Sequence, residues 1–296
     1  MKALVLSEHA DAAASLAAGA RKLADEVVVV MVGAVEAPAS CADFVGRIEI
    51  PDGLATECAG ETLRSFVAER GFELALVEPT RRLKVLAGGL AAQHGVSVIT
   101  DVVSFEADGA KSLFFGGVAE RVQKGSGSIA IYTVAAGALG EGEPSGANTP
   151  VDIAWVEPEF DIRVVKSEPI EKSGVDLTKA SVVVAAGRGF SEKGDLELAH
   201  QLCEKIGAGL GCSRPLTEGV DWLPSETYIG VSGLMLTPKV YIAAGISGQM
   251  QHMVGCNRSD VIFAINKDKN APVFKQCDYG LVGDLKTVLP ALVAAL

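Results

Sequence analysis

The run Val27-Val28-Val29-Val30-Met31-Val32 decides the fold class. It is apolar at every position, too continuous for a strand with one face in water, where apolar and polar residues alternate. A strand apolar on both faces belongs in a parallel sheet covered by helices on both sides. The flanking segments agree. Lys2–Ser7 reads as a strand and Asp11–Leu23 as an alanine-rich helix. Beyond the valine run, Ala55–Glu69 reads as a helix, Glu73–Val77 as a strand, Arg81–Gln93 as a helix and Ser97–Phe105 as a strand. This alternation predicts a doubly wound α/β domain.

After residue 105 the rhythm changes. Lys111–Phe115, Ser128–Val134 and Phe160–Val165 read as strands with no helix between them, separated by Gly-, Ser- and Glu-rich loops such as Gly137–Pro150. They predict antiparallel edge strands on the sheet, with that loop exposed. Glu168–Thr178 is polar, contains Pro169 and Gly174, and reads as a linker. The expected domains are therefore 1–172 and 173–296, in keeping with a chain of 296 residues. In the second, Ser181–Ala186, Gly209–Cys212, Lys239–Ile246 and Val261–Ile265 read as strands. Asp195–Ile206 is a helix, a short helix follows Gly248, and Leu285–Leu296 is a helical tail interrupted by Pro290. The second domain is expected to be a Rossmann-like parallel sheet.

Composition narrows the function. Apolar residues make up 49% of the chain and aromatics only 5%, so the cores are aliphatic. The net charge is −11 and the densest basic group, Arg81-Arg82 with Lys84, reads as a solvated helix turn, so no nucleic-acid face is expected. No apolar run approaches the ~18 residues that span a bilayer, and no signal or transit pattern opens the chain, so a cytoplasmic protein is expected. The six cysteines form no C-x-x-C pair and the four histidines show no metal spacing, so free thiols and no metal are expected.

In open α/β sheets ligands bind beyond the carboxyl ends of the strands. In the second domain those ends carry Gly187-Arg188-Gly189, Ser213-Arg214, Ser247-Gly248 and Asn266 in succession, and the first domain shows no comparable row. Ser247 at a helix start either caps free amides or, with them, forms an anion site, and Gly245 and Gly248 allow close backbone approach to a phosphate. Arg188 reads as a diphosphate ligand or a surface arginine. Arg214, extended by Pro215, faces an anionic partner or a nearby acid. His252 is either structural or part of the site; Ser232, Gln251, Asn266 and Asp284, each alone, read as turn or surface residues. Position 192 is Glu, so Gly187-x-Gly189 does not continue as a G-x-G-x-x-G fingerprint, which weighs against a nicotinamide- or adenylate-binding enzyme of small substrates.

Three stretches carry a resemblance: GISGQMQH over Gly245–His252, VIFAINKD over Val261–Asp268 and DYGLVGD over Asp278–Asp284. In this order they resemble the FAD signature of electron-transfer flavoprotein alpha subunits. GVSGLML from Gly230 and CSRP from Cys212 are more similar to the Fix-type branch, which includes carnitine-linked members. The resemblance implies FAD in the C-terminal domain and an electron carrier with no substrate of its own. It also implies an obligate heterodimer with a beta subunit, and acyl-CoA dehydrogenase- or reductase-type redox partners. By matched position, Arg188, Ser213 and Ser247 with Gly248 hold the diphosphate region, and Arg214 lies against the flavin ring. Ser232 supplies a hydroxyl near N5, Gln251 and His252 meet the ring's polar edge and ribityl chain, and Asn266 and Asp284 hold the adenosine end. Arg214, helped by His252, is expected to stabilise the negative charge of the reduced ring. The commoner family motif V-G-Q-T-G is replaced by Ile229-Gly230-Val231-Ser232-Gly233, which keeps the hydroxyl and loses a glutamine.

Overall fold

The computed structural model describes residues 1–115, 119–135, 138–140, 142–168 and 175–296. The chain divides into two compact units, the first holding described residues 1–114 and 119–168, the second 175–296 together with Phe115. The expected boundary at 172/173, and most of the expected linker, lie outside the described residues, as do parts of the expected 137–150 loop.

The first unit is built on β1 (Lys2–Ser7) and β2 (Glu26–Val32), paired in parallel with Leu4 opposite Val28 and Leu6 opposite Val30. Leu4 and Val28 face one core, and Val5 and Val29 face the other, so both faces of this strand pair are dry. Helix α1 (Ala10–Ala20) covers one side; α2 (Gly60–Arg70) and α3 (Arg81–His94) cover the other. Thr80 caps α3 by accepting from Leu83 N at 3.2 Å, and Gly95 ends it at φ +63°. The remaining strands are β3 (Phe44–Ile48), β4 (Leu74–Val77), β5 (Val98–Glu106), β6 (Gly109–Phe114), β7 (Ala119–Gln123), β8 (Ala130–Val134) and β9 (Thr149–Val151). The sheet order is β7-β6-β5-β8-β4-β1-β2-β3-β9.

The antiparallel edge exists, formed by β5, β6 and β7. Two of its expected members are elsewhere. The strand expected at Ser128–Val134 runs parallel between β4 and β5. Ile131, Tyr132, Thr133 and Val134 are all buried, and a strand dry on both faces has no place at an edge. Residues 160–165 form no strand. They bridge the loop at Leu54 through Arg163, with Ala55 N donating to Ile162 O at 2.8 Å. β-branched residues with no sheet neighbour found only a loop to pair with.

The second unit is a five-stranded parallel sheet of order β11-β10-β12-β13-β14. Its strands are β10 (Val182–Ala186), β11 (Gly209–Cys212), β12 (Val240–Ala244), β13 (Val261–Asn266) and β14 (Tyr279–Val282). Alternate residues face opposite cores. Val184, Ala186, Ile242 and Ala244 pack under α4 (Leu196–Ile206) and α6 (Leu285–Ala295). Val183, Ala185, Tyr241 and Ala243 pack with Ile229, Met253, Cys256 and Val273. The helix α5 (Met250–Met253) is a single turn. Pro290, expected to interrupt the tail, sits inside a continuous α6, whose buried Leu285 and Leu289 anchor it to the sheet. Among the described residues no helix is long and apolar enough to cross a membrane. All six cysteines are free thiols, and among the described residues no group of His, Cys, Asp or Glu is placed to hold a metal.

Candidate functional site

In the second sheet the chain passes from β10 outward to β11, then returns to the other side of β10 for β12. The carboxyl ends of β10 and β12 therefore mark the topological switch point, where such sheets open a crevice. A cleft of about 380 Å³ lies there. Its wall includes eight of the ten residues named from the sequence: Arg188, Ser213, Arg214, Ser232, Ser247, Gln251, His252 and Asn266. Pro215, Tyr228, Val231, Ile246 and Gln249 supply further lining.

The local backbone explains the gathering. Gly189 N donates to Gly245 O and Gly187 N to Ala244 O, both at 2.9 Å, so the loops after β10 and β12 interlock. A Cβ on Gly187 would lie 2.4 Å from Gly245 O, and one on Gly189 2.5 Å from Gly245 Cα. The loop after β11 joins through Ser213 N, which donates to Ala186 O at 2.9 Å. The turn carrying Val231 and Ser232 is fixed from two sides. Val231 N donates to Gln251 O at 2.8 Å, and the Tyr228 hydroxyl donates to Val231 O at 2.6 Å. Ser232 takes a left-handed φ of +70°, a strained conformation for a residue with a Cβ.

Several expectations change here. The helix after β12 starts at Met250, with Gln249 as its N-cap and no side-chain cap, so Ser247 does not cap it. One turn of helix sums few peptide dipoles, so the helix itself adds little to the attraction of an anion near Ser247. At Gly245 and Gly248 the place a side chain would take is filled by protein. A Cβ on Gly245 would meet Gly189 Cα at 2.7 Å, and one on Gly248 would meet Val273 N at 2.2 Å. These glycines let protein segments meet. Gly248 and Asp284 are absent from the cleft wall. Asp284 caps α6, accepting from Lys286 N at 2.8 Å. Asn266 lines the cleft but spends its amide on the fold: Nδ2 donates to Ile246 O at 2.8 Å and Oδ1 accepts from Asp268 N at 3.0 Å.

The charges sort themselves clearly. Arg188 is exposed and has no ion pair with any described residue. Arg214 is 60% exposed, and its Nε donates to Glu218 Oε2 at 2.6 Å, which raises the guanidinium pKa further. Arg214 thus meets the nearby acid while still lining the cleft. His252 is 7% exposed; burial lowers its pKa to about 4, against a weaker opposite pull from the Ile229 backbone. The ring is neutral at pH 7, so the expected help to Arg214 by positive charge is withdrawn. Its Nε2 lies 2.7 Å from the Tyr241 hydroxyl, and its Nδ1 is buried without a hydrogen-bond partner.

The first unit has a larger groove, about 650 Å³, beside β3 and β9. Its arginine, Arg47, is paired with Glu36 at 2.8 Å and with Glu49, so that groove offers a ligand no spare cation.

The donor set of the second cleft suits FAD. Two arginines and three serines fit a diphosphate and its sugars, and Pro215, Val231, Ile246 and Tyr228 give a flat ring an apolar wall. Comparison with known proteins decides the family. Residues 176–257 match the electron transfer flavoprotein FAD-binding domain, and residues 3–158 the electron transfer flavoprotein domain. The chain belongs to the electron-transfer flavoprotein alpha-subunit family. It is 40% identical over 253 residues to Protein FixB of Escherichia coli O139:H28 (strain E24377A / ETEC), covering 83% of this chain and 81% of that protein. Identity and coverage are the same for Protein FixB of Shigella dysenteriae serotype 1 (strain Sd197) and of Escherichia coli O157:H7. The cofactor of this flavoprotein is FAD, and family membership implies a beta-subunit partner.

Sequence reasoning missed Tyr241 and Tyr228. The signal for Tyr241 was present: one hydroxyl inside an otherwise apolar strand, Val240–Ala244.

Proposed function

We propose that this chain is the alpha subunit of a heterodimeric electron-transfer flavoprotein, passing electrons between an acyl-CoA-type dehydrogenase or reductase and another redox protein. It acts as a carrier in a bacterial cytoplasm and has no substrate of its own. The observation that supports this most is the cleft at the β10/β12 switch point, inside the matched FAD-binding region, which draws eight separately named residues together. Bound FAD supplies the electron-accepting ring; the protein supplies binding, orientation and electrostatics. In this reading Arg188, Ser213 and Ser247 hold the diphosphate, and Arg214 lies by the ring. Ser232 offers its hydroxyl from a strained turn, and Gln251 and His252 face the polar edge. Asn266 and Asp284 act one step away, by holding the loop at Ile246 and the start of α6. Domain 173–296 carries the cofactor, and domain 1–172 is the scaffold for the obligate beta subunit.

Co-expression of the chain with a beta-type subunit, followed by a visible spectrum, tests the proposal. A yellow 1:1 complex is expected. A colourless, stable monomer that takes up no added FAD sinks it.

A further inference from the structure

A buried polar pair stands behind the cleft. Tyr241, on β12, has no exposed surface, and its hydroxyl lies 2.7 Å from Nε2 of His252. Burial raises the phenol pKa well above its ordinary value, so the hydroxyl keeps its proton and has one hydrogen to donate. Two acceptors are near it. One is the imidazole nitrogen. The other is the sulfur of Cys256, a weak acceptor whose own thiol donates to Met253 O at 3.4 Å. The nitrogen is the better acceptor. A neutral imidazole that accepts at Nε2 carries its proton on Nδ1. Nδ1 is the atom left buried and unsatisfied, on a residue that lines the cleft.

Resting on the flavin-binding reading above, we propose that Tyr241 is a positioning residue: by donating to Nε2 it fixes the Nδ1–H tautomer and the orientation of His252, a residue of the cleft. The ring then stands neutral behind the cleft, with Nδ1 closed off from solvent. Nε2 is turned to the interior, so the ring's orientation is set before the cofactor arrives.

Nitrogen-15 NMR of the full chain labelled at histidine, without added flavin, tests this, with His252→Asn identifying the signal. The Nδ1–H tautomer is expected in the wild type and a mixture of tautomers in Tyr241→Phe. The opposite tautomer in the wild type, or an unchanged tautomer in Tyr241→Phe, overturns the proposal. Should Tyr241→Phe fail to fold, fluorotyrosine incorporation makes the phenol a stronger donor in an intact fold. The Nε2 resonance must then shift, and a static resonance overturns the proposal equally. In the complex with its partner subunit, Tyr241→Phe is expected to weaken FAD binding by roughly threefold to tenfold. Failure of the wild-type complex to bind FAD sinks the flavin reading and leaves the tautomer result standing. Normal FAD uptake with the wrong tautomer removes Tyr241 alone.

Discussion

The two sheets share a design and differ at their switch points. In the first unit the switch falls between β1 and β4, and the protein fills the crevice with its own carboxylate. Glu78 accepts from Ser7 Oγ at 2.6 Å and from Glu8 N at 2.9 Å, and pairs with His9 Nδ1 at 2.6 Å. In the second unit the switch falls between β10 and β12, where glycine loops interlock and no carboxylate enters. The donors of the first crevice are used up by the fold. Those of the second, Arg188, Ser213 and Ser247, remain for a ligand. A fold of this kind creates two equivalent openings, and the side chains at the strand ends decide which one stays open.

The largest expected effect comes from the glycine lock. Gly245 has φ +67° and no room for a Cβ, whereas Gly33, after β2 in the first unit, has φ +93° and open space around it. Gly245→Val therefore combines backbone strain with collision, for a loss of about 4 kcal/mol or more, and abolishes flavin uptake. Gly33→Ala carries the strain alone, about 1–2 kcal/mol, and leaves flavin content unchanged. Urea titrations of both variants, with the bound-flavin spectrum, check the contrast. Equal losses at the two sites would falsify the lock.

Next in size is the pH dependence of the second cleft. His252 titrates near pH 4 in the folded chain, against an ordinary value of 6.5. A depressed folded pKa means the unfolded chain binds more protons between these values. Stability is thus complete above pH 6.5 and falls as pH drops toward 4, by about 3 kcal/mol. His252→Gln removes that contribution and flattens the curve. Stability curves with the same slope in both proteins between pH 7 and 4 leave His252 without this role.

Breaking the closed crevice comes third. Glu78→Ala leaves the Glu8 amide unpaired in a buried site and returns the Ser7 hydroxyl to His9 O alone, a cost of about 2 kcal/mol. The thermal midpoint falls while FAD content per complex stays constant, because the two switch points serve separate ends. Loss of flavin in this variant contradicts the separation.

The sequence made the architecture legible where the apolar pattern was strong, as in Val27–Val32 and Val182–Ala186. It failed where placement depends on partners far along the chain. Ala130–Val134 and residues 160–165 are both β-prone, and only tertiary burial sends the first into the sheet interior and leaves the second outside it. The site was legible as a row of strand ends, since strand direction brings those ends together whatever the loops do. What could not be read was how each polar group is used. Asn266 and Asp284 are satisfied by loop amides and carbonyls, and the charge of His252 is removed by burial, which depends on residues packed from β12 and the 229–234 turn.

The smallest expected effect concerns the one cation that both reads as a flavin partner and has an acid beside it. Arg214 stands in water with Glu218 at its Nε, and solvent and counter-charge both weaken what it delivers to the ring. Arg214→Ala is therefore expected to lower the flavin potential by tens of millivolts at most. Glu218→Gln frees the guanidinium and raises the potential by a comparable amount. Opposite signs are what electrostatics requires, because one change deletes the cation and the other unmasks it. Arg214 adds to the difference between the open and the closed switch point only if its charge faces the ligand. Spectroelectrochemistry that finds both potentials moving the same way assigns Arg214 to the fold, as Glu78 is assigned in the first unit.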